Sequence, residues 1–119
     1  MNANRAPQLI ALIALVAAAA VGMQALQGWT RARLGAQVAA LAKPSDIRMI
    51  ASATCVYCAQ ARDWFESNGV PFSECLIERD ARCAETYAML MAPGTPVLLV
   101  RGQRLVGFSA QAVADALTQ

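Results

Sequence analysis

Four cysteines and no histidine define the chemistry open to this chain of 119 residues. Without imidazole, Ser-His-Asp and Cys-His catalysis and histidine-ligated metal sites are excluded. Thiols, carboxylates, hydroxyls and backbone groups remain. The most informative arrangement is Cys55-Val56-Tyr57-Cys58, two thiols one helical turn apart. It follows a short apolar run, Ile47 to Ala51, and opens a stretch with helical signals. The first turn of a helix has unpaired backbone N–H groups and a partial positive charge, and both favour a thiolate at Cys55. Cys58 lies one turn deeper. That asymmetry suits thiol–disulfide exchange, with Cys55 attacking a substrate disulfide and Cys58 resolving the mixed disulfide. A purely structural pair and half of a zinc site are the alternatives. Zinc sites usually pair two such close spacings, whereas Cys75 and Cys83 are eight residues apart, in a strand and the helix after it.

Three uses are open to Cys75 and Cys83. A disulfide between them would close a short loop and contribute about 2–3 kcal/mol by chain entropy. They could instead be separate, partly buried thiols, since cysteine packs as a small hydrophobe. An auxiliary redox pair exchanging electrons with the central dithiol is the third use. A bridge would persist only in an oxidising compartment.

The elements that must carry these residues alternate from Asp46 onward. Ile47–Ala51 reads as a strand, and Thr54 as the N-cap of a helix through Trp64 and Phe65 that stops at Asn68-Gly69. Phe72 to Ile77 is a second strand, and Asp80 caps a helix to about Met91. After the turn cluster Pro93-Gly94-Thr95-Pro96, strands Val97–Val100 and Arg104–Val106 form a hairpin. Ser109 caps a last helix, Ala110–Leu117. The order β-α-β-α-β-β-α implies an α/β fold with a four-stranded mixed sheet flanked by helices.

Ahead of this lie a polar tail (1–8), an apolar segment (9–26) and a stretch at 27–45 with Leu34, Val38 and Leu41 at helical spacing. Residues Leu9 to Met23 are an unbroken apolar and glycine run, near the shorter end of the roughly 17–25 residues that span a membrane. Arg5 followed by an apolar stretch and Ala18-Ala19-Ala20 fits a cleaved signal. Continuation to Leu26 and the interfacial Trp29, then Arg31 and Arg33, fits an anchor, which is the expectation adopted. The stretch at 27–45 then reads as a juxtamembrane helix or linker, with the folded domain at 46–119. The lysine and arginine count alone favours a cytoplasmic C-terminal side. The signal-like shape and the extra cysteine pair favour a domain facing the periplasm or another extracytoplasmic space, with a cytoplasmic-facing domain as the alternative. A net charge of +2, with two tryptophans, two tyrosines and three phenylalanines, offers no basic, stacking surface, so nucleic acid is excluded as a partner.

From Arg48 to Leu117 the chain resembles the glutaredoxins, through Cys55-Val56-Tyr57-Cys58, Thr95-Pro96-Val97 and Gly107-Phe108. Val56 replaces a proline common in that family. The resemblance implies a thioredoxin-like fold and no bound cofactor or metal. Its substrates would be disulfide-containing proteins or glutathione mixed disulfides, with glutathione as co-substrate. It also implies a cis Pro96 facing the dithiol, with Thr95 pairing with the bound substrate through its backbone. Tyr57, Gly107, Phe108 and Ser109 complete the implied substrate or glutathione site. Ser52 stands where the family carries a glutathione-binding lysine, so that contact is missing. Arg82 could supply a charge from the second helix. The chain is expected to be a monomer. A competing class is a binding protein holding zinc or a [2Fe–2S] cluster without turnover, as some glutaredoxins do with the first cysteine and glutathione.

Overall fold

The computed structural model describes residues 3–119. The chain divides into two compact units, one ending at Arg33 and one running Leu34–Gln119. Helix α1 spans Arg5–Leu41 and includes the apolar segment. Its apolar window has none of its residues buried and is long and apolar enough to cross a membrane, a test that a signal sequence also passes. In the same unit the Arg33 guanidinium stacks over the Trp29 ring, 4.1 Å from its centroid.

The second unit contains β1 (Ile47–Ala51), α2 (Val56–Ser67), β2 (Ser73–Leu76), α3 (Ala81–Met89), β3 (Val97–Val100), β4 (Gln103–Val106) and α4 (Ala110–Thr118). The sheet order is β2-β1-β3-β4, with β1 and β2 parallel and the other neighbours antiparallel. This is the four-stranded mixed sheet expected from the sequence. Register decides which face each side chain joins, because successive strand residues alternate. Ile47, Met49 and Ala51 share one face with Leu98 and Val100, and there meet Val38, Cys58, Ala61, Phe65, Val113 and Leu117. Ile50 pairs with Cys75 and Val97 on the opposite face, where Cys83, Tyr87 and Leu90 of α3 and its end cover them. The sheet therefore separates two apolar clusters.

The compact unit begins at Leu34, ahead of the expected start at Asp46. The reason is Val38, which is fully buried in the larger cluster with Leu34 and Leu41 packed beside it. The stretch read as linker thus supplies core. Gly35 lets α1 approach the end of α2, since a Cβ there would run into the Asn68 side chain. At the hairpin, Arg101 and Gly102 both have positive φ, 49° and 82°, as a two-residue type I′ turn requires. That tight turn starts β4 at Gln103, one residue earlier than expected. The Arg101 guanidinium then donates to the carbonyls of Leu117 (2.6 Å) and Leu41 (3.3 Å), at the ends of α4 and α1, and pairs with Asp46 at 3.1 Å. One cation so closes two helix C-termini.

Candidate active site

Cys55 itself, and not Thr54, is the N-cap of α2. Its backbone is extended (φ −90°, ψ 111°), and its Sγ accepts the Cys58 N–H at 3.0 Å. Sulfur takes the place that Ser, Thr, Asp or Asn usually fills, which is why the hydroxyl of Thr54 was the nearer guess. Cys55 is half-buried and Cys58 fully buried, and the two form a disulfide with Cα atoms 5.2 Å apart. The outer sulfur is thus the one a partner can reach.

The turn before β3 closes on this sulfur. The Thr95–Pro96 peptide is cis, Pro96 is buried, and the Thr95 carbonyl oxygen lies 3.4 Å from Cys55 Sγ. The Pro96 carbonyl accepts the Gly107 N–H at 2.8 Å, and Gly107 has φ +78°, a conformation that glycine adopts without strain. Cys55, Cys58, Thr95, Pro96 and Gly107 are therefore brought together by hydrogen bonds and chain neighbourhood. Tyr57 stands 67% exposed in the first turn of α2, beside Val56 at 67%. Phe108 turns its ring inward, 5.5 Å from both Trp64 and Phe65, so it anchors the loop from the core side. Ser109 spends its Oγ capping α4, accepting the Ala112 N–H at 3.3 Å. Arg82 is exposed on α3, with its backbone N–H given to the capping Asp80.

Ser52 has a partner that the sequence reading missed. Its hydroxyl donates to the Glu78 carboxylate, which also accepts the Ala53 N–H at 3.1 and 3.3 Å. The hydroxyl of Ser52, followed by backbone N–H groups, holds the Glu78 carboxyl below the usual carboxylate range. The signal was in the parallel register. Ala51 pairs with Leu76, so the residue two beyond Leu76 meets the residue two beyond Ala51.

Cys75 and Cys83 form the second disulfide, Cα atoms 6.0 Å apart, joining β2 to α3. It belongs to the smaller cluster, across the sheet from the dithiol, with an Arg48 guanidinium nitrogen 3.7 Å from Cys75 Sγ. Among the described residues, no group of three or more Cys, Asp or Glu side chains is placed to hold a metal ion.

The unit that carries this site is similar in fold to known proteins. The glutaredoxin family model matches residues 47–105. The folded unit is a glutaredoxin-family domain. Its fold is thioredoxin-like, as solved structures bear out. A thioredoxin-like protein crystallised as a point mutant is 20% identical, with a TM-score of 0.57 over 62% of this chain and 96% of that one. Methanosarcina acetivorans methanoredoxin is 18% identical, TM-score 0.53, over 64% of this chain and 87% of that one. The glutaredoxin of Methanosarcina mazei Go1 is likewise 18% identical, TM-score 0.53, over 64% and 81%. None of the curated proteins matches the chain.

Proposed function

We propose that this glutaredoxin-family chain is a thiol–disulfide oxidoreductase, with Cys55 as nucleophile and Cys58 as resolving thiol. The observation that carries this reading is the position of Cys55 Sγ, at the helix cap and against the Thr95 carbonyl, with Cys58 buried behind it. The Cys55 thiolate attacks one sulfur of a substrate disulfide, joins it, and expels the other sulfur as a thiolate. Cys58 then loses its proton and attacks Cys55 Sγ, forming the intramolecular bridge and releasing the second substrate sulfur. Two electrons pass to the substrate, and two protons end on the released thiols. Two external thiols restore the dithiol, and the reverse sequence oxidises a dithiol substrate. The Cys58 N–H and the unpaired N–H groups of the first α2 turn stabilise the thiolate between steps.

The substrates under this reading are disulfide-containing proteins or glutathione mixed disulfides. Tyr57, Thr95, Pro96 and Gly107 line the approach, with Phe108 and Ser109 fixing the loop and helix beside it. The apolar part of α1 supports a membrane tether, and the Cys75–Cys83 bridge supports a domain on an extracytoplasmic side. The test is a trap. Cys58→Ser should accumulate a covalent mixed disulfide on Cys55 when given a disulfide-bonded protein, seen as a mass increase reversed by reductant. A Cys58→Ser protein that stays unmodified while wild type turns over would sink the assignment of the two roles.

A further inference from the structure

The Glu78 carboxylate is the one charged side chain among the described residues that is hydrogen-bonded to the loop leading into the dithiol. Ser52 Oγ–H and the Ala53 N–H hold it, and the Ser52 carbonyl in turn accepts the Cys55 N–H at 3.3 Å. Carboxylate, turn and nucleophile are thus one connected unit. We infer that Glu78 is a specificity-determining residue that favours disulfides in neutral or cationic protein segments over anionic ones, the glutathione class included. The inference rests on the oxidoreductase reading and deepens it to a substrate class.

The physical case is electrostatic. Glu78 is exposed, yet its carboxylate is fixed by two donors and does not sweep through solvent. A fixed charge bonded to Ser52 and Ala53, three and two residues before the nucleophile, acts on every substrate that reaches Cys55. Glutathione carries two carboxylates and one ammonium, and so a net negative charge. A peptide chain flanked by lysine or arginine carries the opposite sign. Ser52 and Ala53 themselves bring no cation to offset the carboxylate. Arg79, next along the chain, attracts Glu78 only through space and gives its backbone N–H to the Leu76 carbonyl. At a separation on the order of 10 Å in a largely aqueous surface, one unit charge changes an encounter by about twofold at low salt. The effect fades once the Debye length falls below that distance. The Glu78 carboxyl, held low by Ser52, remains charged throughout the neutral range.

The test uses the full chain in detergent and three matched peptides of net charge +2, 0 and −2. Each carries one cysteine in mixed disulfide with 2-mercaptoethanol, and a glutathione mixed disulfide of the neutral peptide forms a fourth arm. The readout is kcat/KM relative to the neutral peptide, so Arg79 and other fixed charges cancel between variants. Glu78→Gln keeps an acceptor oxygen for Ser52 and Ala53 but removes the charge. It should lower the cationic-to-anionic ratio about 16-fold at low salt, and Glu78→Lys roughly 250-fold, with the glutathione arm rising in step. Both changes should shrink in 0.5 M salt. A role confined to holding the loop would move all arms by one factor and leave the ratio alone, and that result overturns the selection. Wild-type protein that turns over none of the four substrates would overturn the oxidoreductase reading, and the selection with it.

Discussion

The close approach of α1 to α2 gives a stability prediction that can be worked out from two residues. Gly35 lies buried in α1, and an added Cβ would collide with the Asn68 side chain at the end of α2. Asn68 is short and already committed, its Nδ2–H donating to the Trp64 carbonyl at 2.8 Å. In a helix interior, alanine is favoured over glycine by about 1 kcal/mol. Against this, forcing the contact costs about 1–3 kcal/mol, and displacing Asn68 forfeits a hydrogen bond of about 1 kcal/mol. Gly35→Ala should therefore destabilise by about 1–3 kcal/mol. Asn68→Ala alone should cost about 1 kcal/mol, its hydrogen bond. In the double variant the clash is gone and the helix preference is recovered, so stability returns to near wild type. The coupling is then about 2–4 kcal/mol. Urea unfolding of the full chain in detergent would measure it, following Trp64 fluorescence in a Trp29→Phe background. Gly35→Ala that stabilises by itself, or two substitutions that add, would refute the reasoning. The site has a stake in the result, because Asn68 ends the helix whose other end carries Cys55.

Two further perturbations probe the same unit. Cys75→Ser or Cys83→Ser should cost about 2.5 kcal/mol by loop entropy, read as a lower urea midpoint under non-reducing conditions. Reductant that opens this bridge should bring the wild-type midpoint down to that of the variants, and equal midpoints without reductant would count against the staple. The Asp46 carboxyl is held below its usual range by the Lys43 N–H and then by Arg101. A depressed folded value means that its stabilisation is complete above the unfolded carboxylate range and drains as pH falls through the folded value. Asp46→Asn should therefore flatten the acid limb of a stability–pH profile, and an unchanged slope below the ordinary carboxylate range would contradict the ion pair's role.

Much of the unit was legible because its signals are local. Apolar runs marked β1 and β3, and Asp80 and Ser109 cap α3 and α4 as their side-chain oxygens suggest. The cap of α2 was misplaced by one residue because a cysteine sulfur is not the usual acceptor. The helix read to about Met91 ends at Met89, with Met91 itself at φ 52°. The Leu34–Val38–Leu41 stripe was visible, but helical spacing does not say what a stripe covers, and here it covers the core. Glu78 was illegible for a related reason. Its partners lie in the loop after β1, and only the β1–β2 register brings the two loops side by side. Ser52 looked like a lost contact when considered alone, and in the fold it is half of a new one.

The placement of the two sulfur pairs on opposite faces of the sheet has a consequence for electron accounting. Thiol–disulfide exchange needs one sulfur to touch another in line, and no side chain can carry a two-electron step across a packed β-layer. Cys55 and Cys58 belong to the cluster under α2, and Cys75 and Cys83 to the cluster under α3. Within the folded unit the two pairs are therefore separate and form no direct relay. Electrons pass between the two pairs only through external thiols. A reductive titration read only on total thiols would therefore sum two bridges that the fold keeps apart.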